Sequence, residues 1–421
     1  MLLVALEALY NGDKERDVRL GVLRVLLSVL QRHGERLSDG WTPVFRLLAA
    51  VPAAGEPDSI DLAFQSVQLT CGDYMPSMPF VRLKRCLEVA VLYGRQQVDV
   101  NVSLTTISLL WNTADMFSKV PISNMPTAGS SRSLSRAADG GSDSDSGAEV
   151  EAAAMPLSME ESVDDPDSPN SRALHLSGTF TAQQTEELLQ LLFLALQSLS
   201  QDARPEVRNS GARTLFAVVV NQGPRLSRGL WEQCLWDMLF PLLRHAFLMS
   251  ATASKDEAEA MLLGQSRGKA VRMMVHHSRN TEQKQWDETV VIALGGMGRL
   301  LRAHLPAIVG LERSSTGWEE MMLVVESSMA GGRKEVALAA IAVLGAVLQT
   351  HGSITNIVTL EMWKRALRAI DVGAEAATSP TCMVPLAVSN EWFRRFSPGA
   401  WVGWHAAAQH CPWKGVVTPR A

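Results

Sequence analysis

The sequence predicts an all-α solenoid of stacked helical hairpins, and two observations carry that prediction. The first is a helical phrase that recurs three times, opening at Val18-Arg19, Val207-Arg208 and Val336-Ala337. Each copy has an apolar residue or Ala five positions on (Leu23, Ala212, Ile341), Leu at eight (Leu26, Leu215, Leu344) and Gly at sixteen (Gly34, Gly223, Gly352). The first two copies also share Leu at nineteen (Leu37, Leu226) and a Trp soon after (Trp41, Trp231). Positions five and eight fall on one helical face, and the Gly is read as a left-handed C-terminal stop. The second observation is composition: 421 residues with 47% apolar and 20% charged side chains. Such a chain would conventionally divide into two or three domains, but a solenoid grows without one closed core. A single helix of this kind cannot bury its face alone, whereas copies with partner helices can.

Each element follows in order. Residues 1–11 read as the tail of a helix already under way, since no cap precedes them. A helix starting near Asp17 would place Val18, Val22, Val25, Leu26, Val29 and Leu30 on one face. Trp41 to Val51 reads as its partner, stopped by Pro52. Ile60 to Tyr74, Pro79 to Tyr93 and Val100 to Phe117 follow, with Pro79 in a tolerated first-turn position and Gly94 as a C-terminal cap. Thr181 and Gln184 form a capping box for a Leu-rich helix. Asp202-Ala203-Arg204-Pro205-Glu206-Val207-Arg208 then opens the second copy, and Pro followed by Val-Arg is the pattern of HEAT/armadillo-like repeats. In such repeats the Arg pairs with an acidic residue in a neighbouring turn, giving a ladder. Trp231–Leu248, Gln283–His304, Trp318–Met329, Lys334–Thr350 and Leu360–Ile370 continue the stack, after a polar stretch over 254–280.

Two regions break the pattern. Residues 118–177 are dominated by Ser, Gly, Ala, Pro and acidic side chains, as in Gly140-Gly141-Ser142-Asp143-Ser144-Asp145-Ser146. They offer too little apolar area to offset about 1–2 kcal/mol of backbone entropy per residue, so a disordered acidic insert is expected. The insert is a passive spacer or, through its Ser-Asp and Arg-Ser-Leu-Ser segments, a phosphate acceptor. After residue 375 Trp392, Trp401, Trp404 and Trp413 fall among Pro, Gly, Cys and His without helical spacing. The stretch 376–421 reads as an irregular Trp/Pro-rich tail, either a binding tail or an end that does not fold. The repeat segments are thus 1–117 and 178–375.

Composition also excludes function classes. A net charge of −5 gives no general reason to expect nucleic acid or an anionic membrane surface as partner. Five scattered cysteines without a Cys-x-x-Cys pair read as reduced thiols, mostly in the core. The N-terminus lacks a basic lead-in and meets Glu7 at once, against a secretory signal. The longest apolar run, Val336 to Leu348, falls short of the roughly 20 residues a membrane span needs. A soluble intracellular protein is expected.

Reactive chemistry finds little support. His276 and His277 are adjacent, so on a helix they point about 100° apart and poorly suit one ion; no metal is expected. Gly295-Gly296-Met297-Gly298 lies inside an apolar helical phrase without a following Lys-Ser/Thr and reads as close helix packing, not a phosphate loop. There is no Gly-x-Ser-x-Gly elbow, and no catalytic residue or cofactor is expected. The polar but patterned stretch from Val275 to Thr289 mixes His276, His277, Arg279, Lys284 and Trp286, the residue types favoured at protein interfaces. Those residues, with Trp111, are the candidate protein contacts. The alternative for the stretch is a cap, with Thr281 as N-cap and Trp286 buried against a neighbouring repeat.

Three phrases then resemble one known family. His276-His277-Ser278-Arg279-Asn280-Thr281-Glu282-Gln283-Lys284-Gln285-Trp286-Asp287-Glu288-Thr289 is similar to a phrase of the Mon-two family, large proteins akin to the big Arf guanine-nucleotide exchange factors. Ser103 to Asp115, containing Leu109-Leu110-Trp111, resembles the family helix ending in Leu-Leu-Trp and Asp. Asp202 to Phe216 resembles its best-marked HEAT repeat. The resemblance covers most of 15–117 and 178–375. It implies a peripheral scaffold of the trans-Golgi network and endosomes, acting in endosome-to-Golgi retrieval. It also implies a Dopey-type partner, a phospholipid flippase and an Arf-like GTPase, with membrane association through partners and no catalytic module. Two other readings stand beside it: the C-terminal flank of an active Arf exchange factor, and an unrelated HEAT-repeat adaptor.

Overall fold

The computed structural model describes residues 1–12, 15–119, 180–254, 261–266, 269–273, 281–331, 333–351 and 357–378. Nearly all of the acidic insert, most of the Trp/Pro-rich tail, His276, His277, Arg279 and Gly352 lie outside them.

Apart from one β hairpin, the described residues form an all-α helical-repeat solenoid. Its helices are α1 (Leu2–Gly12), α2 (Arg16–His33), α3 (Trp41–Ala54), α4 (Pro57–Leu69), α5 (Phe80–Arg95), α6 (Val100–Ser118) and α7 (Ala182–Leu199). They continue with α8 (Pro205–Gln222), α9 (Arg228–Gln233), α10 (Phe240–Thr252), α11 (Glu282–Val309), α12 (Ser314–Ala330), α13 (Lys334–His351) and α14 (Leu360–Thr378). A wide π turn, Cys234–Leu239, joins α9 to α10. Contacts skip one helix and so build two layers. In one layer α1 packs on α3, α3 on α5 and α5 on α7, and α12 on α14; in the other α2 packs on α4, then α6, α8, α11 and α13 in turn. Successive helices such as α5 and α6, or α7 and α8, close each hairpin across the layers.

The apolar spine explains this packing. Leu23, Leu26, Ala212, Leu215, Ile341 and Leu344, at positions five and eight of each copy, are all at most 1% exposed. The face of α2 is rotated from expectation: Val22, Leu23, Leu26 and Leu30 are buried, while Val25 is 43% exposed. Leu23 and Leu26 lie three apart on the core side, and Val25 falls on the flank of that stripe.

Helix ends follow local chemistry. Thr181 accepts from the Gln184 N–H while the Gln184 side chain accepts from the Thr181 N–H, completing the capping box. Thr281 caps α11 by accepting from the Lys284 N–H. α3 runs past Pro52 to Ala54 and ends at Gly55, whose φ of +69° supplies the left-handed stop. Gly94 is not a cap; it lies inside α5, with Gln96 as the cap residue. α11 kinks at His304 (φ −130°, ψ 15°), two residues before Pro306, which removes a helical N–H. Within the polar stretch over 254–280, β1 (Met261–Ser266) and β2 (Lys269–Met273) pair antiparallel with an irregularity between Leu262 and Gly264.

The repeat glycines correct a further expectation. Gly34 (φ −54°, ψ −41°) and Gly223 (φ −45°, ψ −44°) are right-handed, and each opens a 3-10 turn, Gly34–Arg36 and Gly223–Arg225. They are needed for space. A Cβ at Gly34 would overlap the Tyr74 ring, and one at Gly223 would overlap the His304 ring. The Tyr74 hydroxyl donates to the Leu30 carbonyl at 2.7 Å, and His304 Nε2 donates to the Val220 carbonyl at 2.8 Å. Trp41 packs on Tyr74 with ring centroids 5.7 Å apart, as Trp231 packs on His304 at 5.5 Å. The shared phrase spacing therefore builds the same junction twice: a glycine, a Trp and a polar ring pinned near the end of the helix that opens the phrase.

Candidate functional site

Two of the candidate contacts, Lys284 and Trp286, lie in the first turns of α11, and the structure makes that helix start a junction between repeats. Trp286 is only 5% exposed. Its ring lies 3.7 Å under the guanidinium carbon of Arg208 from α8 and meets the His245 ring of α10 edge-on at 5.6 Å. Arg208 is itself 1% exposed, the largest fully buried side chain of the described residues. It donates to the Asp202 and Ala203 carbonyls at 3.0 and 2.9 Å and to Thr289 Oγ1 at 3.0 Å. Thr289 in turn donates to Asn209 Oδ1 at 2.7 Å. Burial pulls the Arg208 pKa below its usual value, against the pull of Asp202 and Glu206. Burial and then the Arg208 charge lower that of His245.

Arg208 thus departs from the expected acid pairing: its donors go to carbonyls and a hydroxyl. The Asp202 carboxylate is taken by Arg204, through Nε and Nη2 and the backbone N–H, each at 2.9 Å. Burial would raise the Asp202 pKa, but hydrogen bonds from Arg204 and Gln97 hold it below its usual value. Arg204 also reaches the Gln96 carbonyl (2.9 Å) and Ser103 (3.2 Å). This polar knot ties the α5–α6 turn to the α7–α8 turn. The ladder between repeats exists on other residues. Arg46 pairs with Glu7, Arg19 with Glu56, Arg213 with Glu288, Arg244 with Glu320, and Arg365 with Glu319, each bridging two elements of the stack.

Of the candidate contacts among the described residues, Lys284 is exposed, Trp111 is half-buried against the core, and Trp286 is internal. The structure does not bring Trp111 to the Trp286 junction; the former sits on α6, the latter on α11. Asp287, one residue on, faces another helix start: it accepts from Ser250 and from Arg333 Nη1, the latter at 2.6 Å. Sequence reasoning singled out Arg208 but gave it an acidic partner, and it missed Asn209 and His245, to which no motif pointed.

A cavity of about 250 Å³ lies between the α9–α10 region, α11, α12 and the start of α14. Trp236, Phe240, Met297, Leu301, Trp318 and Met362 wall it, with Ser314, Ser315 and Thr359 as its hydroxyls and no ionisable group in its lining. Among the described residues no three His, Cys, Asp or Glu side chains gather as metal ligands, and no helix is long and apolar enough to cross a membrane. Gly296 and Gly298 serve close packing: a Cβ on the first would overlap the Phe216 ring of α8, and on the second would press Val343 of α13.

Comparison with known proteins supplies the identity. Residues 72–128 and 161–369 match the family model described as the C-terminal region of Mon2 protein. Residues 1–69 match a second, described as Mon2/Sec7/BIG1-like, HDS. Similar relatives include the Protein MON2 homolog of Drosophila melanogaster, 30% identical over 353 residues, which are 84% of this chain and 18% of that protein. The homologs of Xenopus laevis and Homo sapiens are each 29% identical over 334 residues, 79% of this chain and 17% of theirs. The chain therefore spans less than a fifth of the length of these relatives. The family model covers more than half of the chain, and on that ground the chain belongs to the Mon2 family and corresponds to its C-terminal portion.

Proposed function

We propose that this chain is a non-enzymatic scaffold segment in vesicle-mediated transport between endosomes and the trans-Golgi network. The observation that carries the reading is membership of the Mon2 family over a continuous helical stack. An extended solenoid presents helix faces and inter-repeat turns along its length, a geometry suited to holding other proteins. The partners this reading names are a Dopey-type protein, a phospholipid flippase and an Arf-like GTPase. They would hold the chain peripherally on trans-Golgi and endosomal membranes from the cytoplasmic side. Lys284, on the exposed side of the α11 start, is the one exposed candidate among the described residues for such a contact. The test is imaging of the tagged full-length protein combined with its depletion. The reading expects signal on Golgi and endosomal membranes and slowed return of a cycling cargo receptor. Nuclear signal with normal retrieval contradicts it and favours an unrelated adaptor.

A second reading has one observation in its favour. Residues 1–69 match a model shared with Sec7 and BIG1-like proteins, so the chain could flank an active Arf exchange module. Release of labelled GDP from Arf proteins, measured with the full-length protein, separates the two. Unchanged release fits the scaffold; accelerated release replaces it with the exchange factor.

A further inference from the structure

Five cysteines scattered over the sequence give no hint of pairing, yet the fold brings two of them together. Cys71 lies in the π turn Thr70–Tyr74 that ends α4, and Cys86 lies in α5, with their Sγ atoms 3.8 Å apart. Cys71 is half-buried and Cys86 is 2% exposed. We propose that Cys71 and Cys86 form a reversible dithiol–disulfide pair driven by hydrogen peroxide.

The argument rests on proximity and on the unequal access of the two sulfurs. A disulfide needs its sulfurs about 2.05 Å apart, so the gap must close by under 2 Å, within reach of side-chain rotation and a small shift of the turn. Cys71 meets solvent and takes the oxidant. Its thiolate attacks one peroxide oxygen; the S–O bond forms, the O–O bond breaks, and hydroxide leaves, so sulfur is oxidised and peroxide reduced. Cys86 then attacks the Cys71 sulfenic sulfur; the S–S bond forms, the S–O bond breaks, and the Cys86 proton leaves with the hydroxyl as water. The hydrogen bond with Cys71 and burial both push the Cys86 thiol above its usual pKa, so Cys86 is a poor target for peroxide itself, and its place as the resolving sulfur comes from lying 3.8 Å from Cys71 Sγ. A small-molecule or protein dithiol restores both thiols by exchange. Cys234 supplies the internal contrast: it is fully buried, and burial pushes its thiol up. The new bond would tie α5 to the turn that carries Tyr74, three residues on, whose hydroxyl pins the end of α2.

The test exposes the purified full chain to hydrogen peroxide, alkylates the remaining thiols and maps the peptides. The proposal expects a Cys71–Cys86 linked peptide as the main product, removed by dithiothreitol, with Cys234 still reduced. In Cys86→Ser, labelling of a Cys71 sulfenic acid by dimedone rises several-fold over wild type, because the resolving sulfur is gone. Equal dimedone labelling in the two proteins, or both thiols alkylated in full after peroxide, overturns it. A linked peptide joining Cys71 to any other cysteine overturns it as well.

Discussion

The two copies of the repeated phrase agree along their apolar spine and diverge in their polar bridges. At both, a right-handed Gly admits a ring from the next element of the same layer, and that ring is pinned to a carbonyl near the helix end: Tyr74 at Gly34, His304 at Gly223. The Arg that opens each phrase behaves differently. Arg19 reaches the Glu56 carboxylate at 3.1 Å at the start of α4, with both side chains partly in water. Arg208 is sealed over Trp286 and spends its donors on carbonyls and Thr289. The comparison teaches that spacing dictates packing, whereas the partner helix decides what a bridging charge becomes.

Truncating the spine should give the largest effect and tests whether the copies are equivalent. Leu26→Ala and Leu215→Ala remove side chains with no exposure, and each should cost roughly 2–5 kcal/mol by urea denaturation. A loss at one site under half that at the other would break the equivalence. Arg208→Met comes next, at roughly 1.5–3 kcal/mol, since it leaves Thr289 and two carbonyls without a charged donor. Gly34→Ala and Gly223→Ala should each cost about 1–3 kcal/mol through overpacking against Tyr74 and His304. Neutral behaviour would return these glycines to a conformational role. Arg19→Met should cost about 1 kcal/mol or less, because the Arg19–Glu56 pair is 18% and 33% exposed. Equal losses for Arg19→Met and Arg208→Met would erase the contrast drawn above.

Acid sharpens the same contrast with the smallest effect. The folded pKa of His245 is lowered, so the unfolded chain binds the extra proton more readily. The contribution is fully present above the unfolded value of about 6.5 and is lost as the pH falls from there through the folded value. Thermal midpoints should therefore drop on acidification below pH 6.5, and His245→Gln should remove that share of the drop. An identical pH profile in His245→Gln would show that the Arg208–Trp286–His245 junction does not titrate.

Much of this fold was legible before any coordinates. Helical periodicity located the spine because 3.6-residue spacing is a direct consequence of one buried face. The Thr181–Gln184 capping box and the Thr281 cap were readable because both depend on residues three apart. The glycines were found and their role misassigned: a sequence shows that a side chain is unwelcome, and only packing reveals that a Tyr or His ring occupies its place. Trp286 stood in a polar stretch compatible with a contact or a cap, and its burial depended on Arg208 and His245, 78 and 41 residues away. The Cys71–Cys86 approach and the β1–β2 pair were equally hidden, since neither follows a motif with known spacing.

The role proposed for this stack is to hold other proteins. Its most direct test is crosslinking and affinity capture of the tagged full-length protein from Golgi and endosomal membranes, with mass spectrometric mapping of the linked residues. The account predicts crosslinks from exposed lysines of this segment, Lys284 among them, to a Dopey-type protein or a flippase. A segment that is recovered intact and links to neither, while the rest of the protein does, would contradict it.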